Sequence, residues 1–333
     1  MTAPVSSPAA APLEGRGRVD RVAPPETLRS VLEPERRFLW GICYRMTGSA
    51  SDADDLVQET FVRALTRPPK DTATDVRPWL VRVAMNLARD ELRRRKRRSY
   101  PGMWLPTPVE TDGPDSPLEL ESTDASPEAR YGLRESASFA FLVAVEALSA
   151  TQRAVLLLRD VFDYSSRETA DLLGVSEENV RIILHRARKT MSSYDGESHA
   201  FDAPARALVE AALHQIAACL ATQNLDLARH LFTSDTQSVG DGGGVIHAAP
   251  APVRGGEKVL RMYAKLASRA SPDVKVAVRE VNGLPAVVIE DPAPKRPNGP
   301  RGVILLELGR DGRVKTLYSV TAPQKLGSVR FSL

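Results

Sequence analysis

The 333-residue chain has 42% hydrophobic residues, 5% aromatics and 45 Lys and Arg against 42 Asp and Glu, which excludes a single small module and wholesale disorder. Its longest apolar runs, such as Ala154 to Leu158 and Gly302 to Leu306, fall far short of the roughly 20 residues that span a bilayer, so no transmembrane helix is expected. The N-terminus, MTAPVSSPAAAPLEG, lacks a basic start followed by an apolar stretch, so no secretory signal is read and a cytoplasmic location is expected.

The formal charge of +3 is distributed unevenly, and the unevenness divides the chain. Residues 1–26 are Pro/Ala-rich and expected to be a disordered tail, and 27–98 read as a helical block. Within it, Arg77 to Arg98 holds nine basic residues against Asp90 and Glu91, a segment suited to a polyanion. Residues 99–133 read as a flexible linker, because Glu110 to Glu128 holds seven acids, no base and three prolines, with Pro108 just before them. A second helical block covers 134–195, and 203–330 reads as α+β with an antiparallel sheet. Cys43 and Cys219 lie far apart with no Cys or His cluster nearby, which predicts two buried free thiols and no metal site; no cofactor is expected.

In the first block, SDADDLVQETFVRAL sets Asp52, Asp54, Asp55 and Glu59 around Leu56, Val57 and Phe61, a helix whose N-terminal acids complement its dipole. Downstream, Leu80, Val83, Ala84 and Leu87 recur at the spacing of a buried helix face. The same helix carries Arg82, Asn86, Arg89 and Arg93 on another stripe. Arg neutralises phosphate and Asn pairs with a base edge, so the stripe suits nucleic acid; a solvated basic face is the alternative, and the Arg93 to Arg98 run weighs against it. The order FLWGICYRMTGSASDADDLVQETFVRAL, then WLVRVAMNLARDELRRRKRR, resembles the sigma-2 domain of bacterial extracytoplasmic function (ECF) sigma factors. The resemblance implies that the helix bearing Asp54, Asp55, Leu56, Gln58 and Glu59 docks on the clamp coiled coil of core RNA polymerase. It also implies that the helix bearing Arg82, Asn86, Arg89, Arg93 and Arg94 meets the minus-ten promoter element, with Asn86 at a flipped base.

In the second block, Ser165 to Glu168 forms a capping box, Gly174-Val175 a turn, and Ser176 caps the next helix, which is helix-turn-helix grammar. Val180, Ile183, Leu184 and Ala187 form that helix's core stripe. Glu178, Arg181, Ile182, His185 and Lys189 then face outward, flanked by Arg186 and Arg188, a face that fits a major groove. An ordinary helical hairpin with a basic surface is the alternative. The stretch ALSATQRAVLLLRDVFDYSSRETADLLGVS resembles the sigma-4 domain of the same family, which reads minus-thirty-five DNA.

In the third part, a helix over Ala205 to Leu220 precedes strands at Thr236 to Val239, Val245 to Ala248, Val274 to Val281, Ala286 to Glu290, Val303 to Leu308 and Val314 to Val320. A second helix runs from Glu257 to Ser268, and the Asp241 to Gly244 turn pairs glycines suited to positive φ with an Asp that can cap them. This order resembles a SnoaL-like domain, the cystatin-like α+β cone. With MWLPTP at Met103 to Pro108 and TAPQKL at Thr321 to Leu326, it resembles ECF sigma factors with a fused C-terminal SnoaL-like domain (SigJ-type), although TAPQKL departs from that subgroup's acidic tail motif. Three roles stand open for this domain: catalysis by Asp235, Asp241, His247 or Tyr318, sensing of an unidentified small molecule, and regulation by packing on the sigma domains. The regulatory reading makes Trp104, Leu105, Asp241, Gly242 and Gly243 interdomain contacts, with polymerase docking as the other use of Trp104 and Leu105. The expected whole is two all-α sigma domains followed by an α+β SnoaL-like domain, a non-enzymatic promoter-specificity subunit with core polymerase and promoter DNA as partners.

Overall fold

Local signals set the helices of the first block. In the computed structural model, which describes residues 30–67, 76–113, 116–118, 132–195 and 203–331, helix α1 (Arg36–Thr47) stops at Gly48 with φ 66°. A side chain at Gly48 would be strained by that φ and would also collide with the Trp104 ring. Ser49 then caps α2 (Ala50–Thr66), its hydroxyl accepting the Asp52 N–H at 3.2 Å. Helix α3 (Arg77–Arg97) begins with Pro78, whose missing N–H costs nothing in a first turn. The predicted tail over 1–26 and linker residues 119–131 lie outside the described residues.

The second block holds α4 (Phe139–Ala144), α5 (Ala150–Leu156), a π-helical turn over Leu157–Val161, α6 (Ser166–Leu173) and α7 (Glu177–Asp195). Reciprocal capping boxes start α5 at Ser149/Gln152 and α6 at Ser165/Glu168. Gly174 ends α6, and the Ser176 hydroxyl accepts the Asn179 N–H at 3.3 Å to start α7.

The C-terminal part places α8 (Ala203–Thr222) and α9 (Gly256–Ala267) on one face of a six-stranded sheet. Its strands are β1 (Phe232–Asp241), β2 (Val253–Arg254), β3 (Lys275–Val281), β4 (Leu284–Glu290), β5 (Arg301–Leu308) and β6 (Val314–Val320), in the order β2-β1-β6-β5-β4-β3. The sheet is mixed, which corrects the antiparallel expectation. Strands β1 and β6 pair in parallel, because α9 and three hairpins intervene and supply the crossover that parallel neighbours require. A second correction concerns Val245 to Ala248, which forms no strand. The Val245 and Ile246 N–H groups both turn back to the Gly242 carbonyl, and the partner of β1 is instead Val253–Arg254.

Alternation along the strands sends Ile304 and Leu306 of β5 and Leu317 of β6 towards Leu213, Ile216 and Leu260 of the helices. Leu305 and Tyr318 point the other way, towards Leu105 of the linker and Phe139 of α4. A third core joins Leu39, Ile42, Met46 and Leu80 of the first block to Leu142, Val155, Leu158 and Val180 of the second. The helical blocks therefore share one apolar interior. The described linker is also packed, contrary to a flexible tether, because Leu105 and Val109 are fully buried and anchor it.

Candidate functional site

Helix α7 presents two chemically distinct sides. Val180, Leu184 and Ala187 are buried, Ile183 is half-buried, and Glu178, Arg181, Ile182, His185, Arg186 and Lys189 are exposed. Arg181 reaches Glu177 at 3.4 Å, and Arg188 is held bidentately by Asp160 at 2.9 and 2.7 Å. Among the described residues, the side chains of His185, Arg186 and Lys189 make no ion pair.

On α3 the stripe is arranged differently. Asn86 is exposed and its Oδ1 accepts from Arg89 Nη1 at 3.4 Å, while exposed Arg93 and Arg94 pair within the helix with Asp90 and half-buried Glu91. Arg82 and Arg89 instead turn towards the second block. Arg82 Nη2 donates to the Asp171 carbonyl of α6 at 2.8 Å, and Arg89 Nη2 lies 3.4 Å from Thr151 Oγ1 of α5. Burial lowers the Arg89 pKa, and nearby Arg93 lowers it further.

On α2, Asp54, Asp55, Gln58 and Glu59 share the exposed side. Asp54 accepts from Trp40 Nε1 at 2.7 Å, and Glu59 pairs with Arg63 at 2.9 Å. Leu56 is only 5% exposed and belongs to the shared core, so its inclusion in a docking surface is corrected: it fixes the helix from behind.

The linker is held at Asp241, the last residue of β1. Its Oδ1 accepts from Tyr100 Oη at 2.7 Å and from the Gly243 N–H at 2.9 Å; its Oδ2 accepts from the Leu105 N–H at 2.9 Å and from Lys325 Nζ at 2.7 Å. Lys325 also donates to the Leu105 carbonyl and stands over the rings of Tyr100 and Trp104 at 4.7 and 4.4 Å, while Arg95 lies 4.1 Å from the Trp104 ring. Burial pulls the Lys325 pKa down to about 8, against the opposing pull of Asp241. Gly243 takes φ 62° in the turn, and Gly242 has the Ile246 carbonyl where a side chain would stand. Farther along, Glu110 pairs with Arg330 at 2.8 Å and Arg279 at 3.4 Å. Burial raises its pKa, but these cations outweigh that and hold it below the usual carboxylate value.

The comparisons with known proteins bear on this arrangement. Residues 31–98 match the Sigma-70 region 2 family and residues 138–191 the Sigma-70, region 4 family. Over 303 residues the chain is 34% identical to the ECF RNA polymerase sigma factor SigJ of Mycobacterium tuberculosis, spanning 89% of this chain and 92% of that one. The chain belongs to the ECF RNA polymerase sigma factors. It is also 36% identical over 225 residues to the sigma factor SigG of the same organism, spanning 61% of this chain and 58% of that relative. The crystal structure of Mycobacterium tuberculosis SigJ is similar with a TM-score of 0.68 at 28% identity, covering 90% of this chain and 98% of that one.

An ECF sigma factor directs RNA polymerase to specific promoters for transcription initiation, and this one consists of two helical sigma domains followed by a mixed-sheet, SnoaL-like domain. Sigma factors are in general not enzymes. The groups considered for catalysis do not converge here. Asp235 and His247 are exposed, Asp241 faces the linker, and Tyr318 donates to Glu307 at 2.7 Å on the face that meets Phe139 of α4. Among the described residues, no helix is long and apolar enough to cross a membrane. Sequence reading missed Arg45, Arg153, Asn282 and Lys325. Only Asn282, followed by glycine, carried a local signal, that of a hairpin turn.

Proposed function

We propose that this ECF sigma factor works through three surfaces and one internal modulator. The outward face of α7, with Glu178, Arg181, His185, Arg186 and Lys189, reads minus-thirty-five DNA in the major groove, where Arg suits guanine and Ile182 a thymine methyl. Arg82, Arg89, Arg93 and Arg94 engage the minus-ten element, and Asn86 receives an unstacked base. Asp54, Asp55, Gln58 and Glu59 dock on the clamp coiled coil of core polymerase. The division follows the sequence: sigma-2 over 27–98, linker over 99–133, sigma-4 over 134–195 and the modulator over 203–330. The C-terminal domain acts without catalysis, gripping the linker at Trp104 and Leu105 through Asp241 and the Gly242-Gly243 turn.

The observation that carries this reading is the exposed side of α7, where Arg186 and Lys189 make no ion pair among the described residues, on a helix whose other side is locked into the core. Positive charge that the protein leaves unneutralised is available to release counterions from DNA. The test is run-off transcription by core polymerase with the full chain on a promoter library. Arg181→Ala weakens promoter-dependent output, and Asp55→Arg weakens binding to core polymerase while the fold persists. Unchanged output at every promoter rejects groove reading by Arg181, and undiminished core binding rejects the docking face.

A further inference from the structure

Asn282 and Gly283 form the tight turn between β3 and β4, with Asn282 at φ 54°, and such hairpin tips ordinarily project into water. Here Asn282 is 0% exposed. Its Nδ2 donates to Tyr44 Oη on α1 at 2.8 Å and to the Ala137 carbonyl ahead of α4 at 2.8 Å. Its Oδ1 accepts the Val109 N–H of the linker at 3.0 Å, and its own N–H donates to the Val109 carbonyl at 2.8 Å. A single side chain of the C-terminal domain thus ties together the sigma-2 block, the linker and the sigma-4 block.

Two buried arginines cross between those blocks nearby. Arg45 of α1, 1% exposed, donates to the Leu133 carbonyl at 3.0 Å and to Ser136 Oγ at 2.8 Å. Arg153 of α5, 2% exposed, donates to the Met46 carbonyl at 2.7 Å and pairs with Glu146 at 2.8 Å. The closed packing falls on the α3 stripe. Arg82 satisfies the Asp171 carbonyl in the last turn of α6, where helical carbonyls lack intrahelical partners. Arg89 is drawn in with its Nε buried and without a hydrogen bond. Minus-ten and minus-thirty-five elements lie about 25 base pairs apart, roughly 85 Å of B-form DNA. An arrangement in which the sigma-4 block touches Arg82 does not serve both elements at once.

We propose that Asn282 latches a closed form in which the sigma-4 block and minus-ten DNA compete for Arg82 and Arg89. The competition rests on the minus-ten assignment above; the latch is read by distance alone. Spin labels at Asp90→Cys on α3 and Asp171→Cys on α6, both exposed positions, report the separation of the blocks in the full-length protein. Asn282→Gly preserves the turn, because glycine accepts positive φ, and deletes the side-chain bonds. The wild type gives one short distance. Asn282→Gly adds a long-distance population, the closed-to-open ratio falling about tenfold, as expected for the loss of one or two net hydrogen bonds. Arg82→Ala, which leaves the hairpin intact, moves the ratio the same way. A wild type dominated by the long distance overturns the closed form, and an unchanged distribution in Asn282→Gly overturns the latch. Arg82→Ala introduced into Asn282→Gly, where the latch is already lost, that transcribes like Asn282→Gly alone overturns the minus-ten assignment, and the competition with it, whatever the distances.

Discussion

On α7, His185, Arg186 and Lys189 project into solvent, whereas on α3, Arg82 and Arg89 are engaged by the neighbouring sigma-4 block. Both helices are long and anchored by an apolar stripe with arginines on the opposite side, so the sequence pattern does not distinguish how available those cations are. Their difference is tertiary. A helix with one side in the core and the other in water is ready for a groove, while one whose basic stripe donates to groups of a neighbouring domain must first release them. The comparison shows that identical residue types offer different availability, set by what packs across from them.

The largest expected effect comes from breaking the join that creates this difference. Arg153→Ala leaves the Met46 and Val145 carbonyls without their buried donor and costs about 3–5 kcal/mol in urea unfolding, while exposed Glu146 keeps its pair with Arg95. A loss below about 1 kcal/mol contradicts a structural role for this buried arginine. Next, Lys325→Ala strips the cation from buried Asp241 and costs about 3 kcal/mol by the same measurement.

Lys325 also gives a pH signature. In the unfolded chain it keeps its proton to the usual 10.5, but in the fold it releases it at about 8. Between these values the unfolded state binds more protons, so stability rises with pH across that window. Lys325→Met lacks this rise, and unfolding curves taken across the same window separate the two proteins. Parallel curves contradict the buried position.

Smaller effects sharpen the α7 side of the comparison. If Arg186 makes the proposed base contact, Arg186→Ala weakens promoter binding by about 1–3 kcal/mol, measured by holoenzyme titration on linear DNA. For the proposed phosphate contact of Lys189, Lys189→Ala lowers the salt dependence by about one unit and weakens all sequences alike. The smallest change is Ser165→Ala, which removes the α6 capping box and lowers the unfolding free energy by about 1 kcal/mol without altering the α7 face. A loss far above that would mean the helix-turn-helix depends on more than its local caps.

The helix-turn-helix was legible because its determinants are local: Ser165 with Glu168, Gly174, and Ser176 act within three or four residues. The α3 stripe was legible as a pattern, but its engagement was not, since Asp171 lies 89 residues from Arg82. Arg45 and Arg153 eluded sequence reading because each is satisfied largely by carbonyls 88 and 107 residues away, which carry no side-chain signature. Acids and prolines marked the linker as a tether, yet Leu105 and Val109 bury it and Arg330 and Arg279 neutralise Glu110. Val245 to Ala248 has strand-like composition, but the preceding glycines turn the chain before a ladder can form. The parallel β1–β6 pair joins Val239 to Tyr318 across most of the domain, beyond any local rule.

The most direct measurement places the Asp90→Cys and Asp171→Cys spin-label pair in a transcribing complex of full-length protein, core polymerase and promoter DNA. The account predicts that the short distance of the free protein disappears and the labels move beyond the measurable range as the two sigma blocks take their separate promoter elements. A short distance that persists in a complex making promoter-specific transcripts would contradict it.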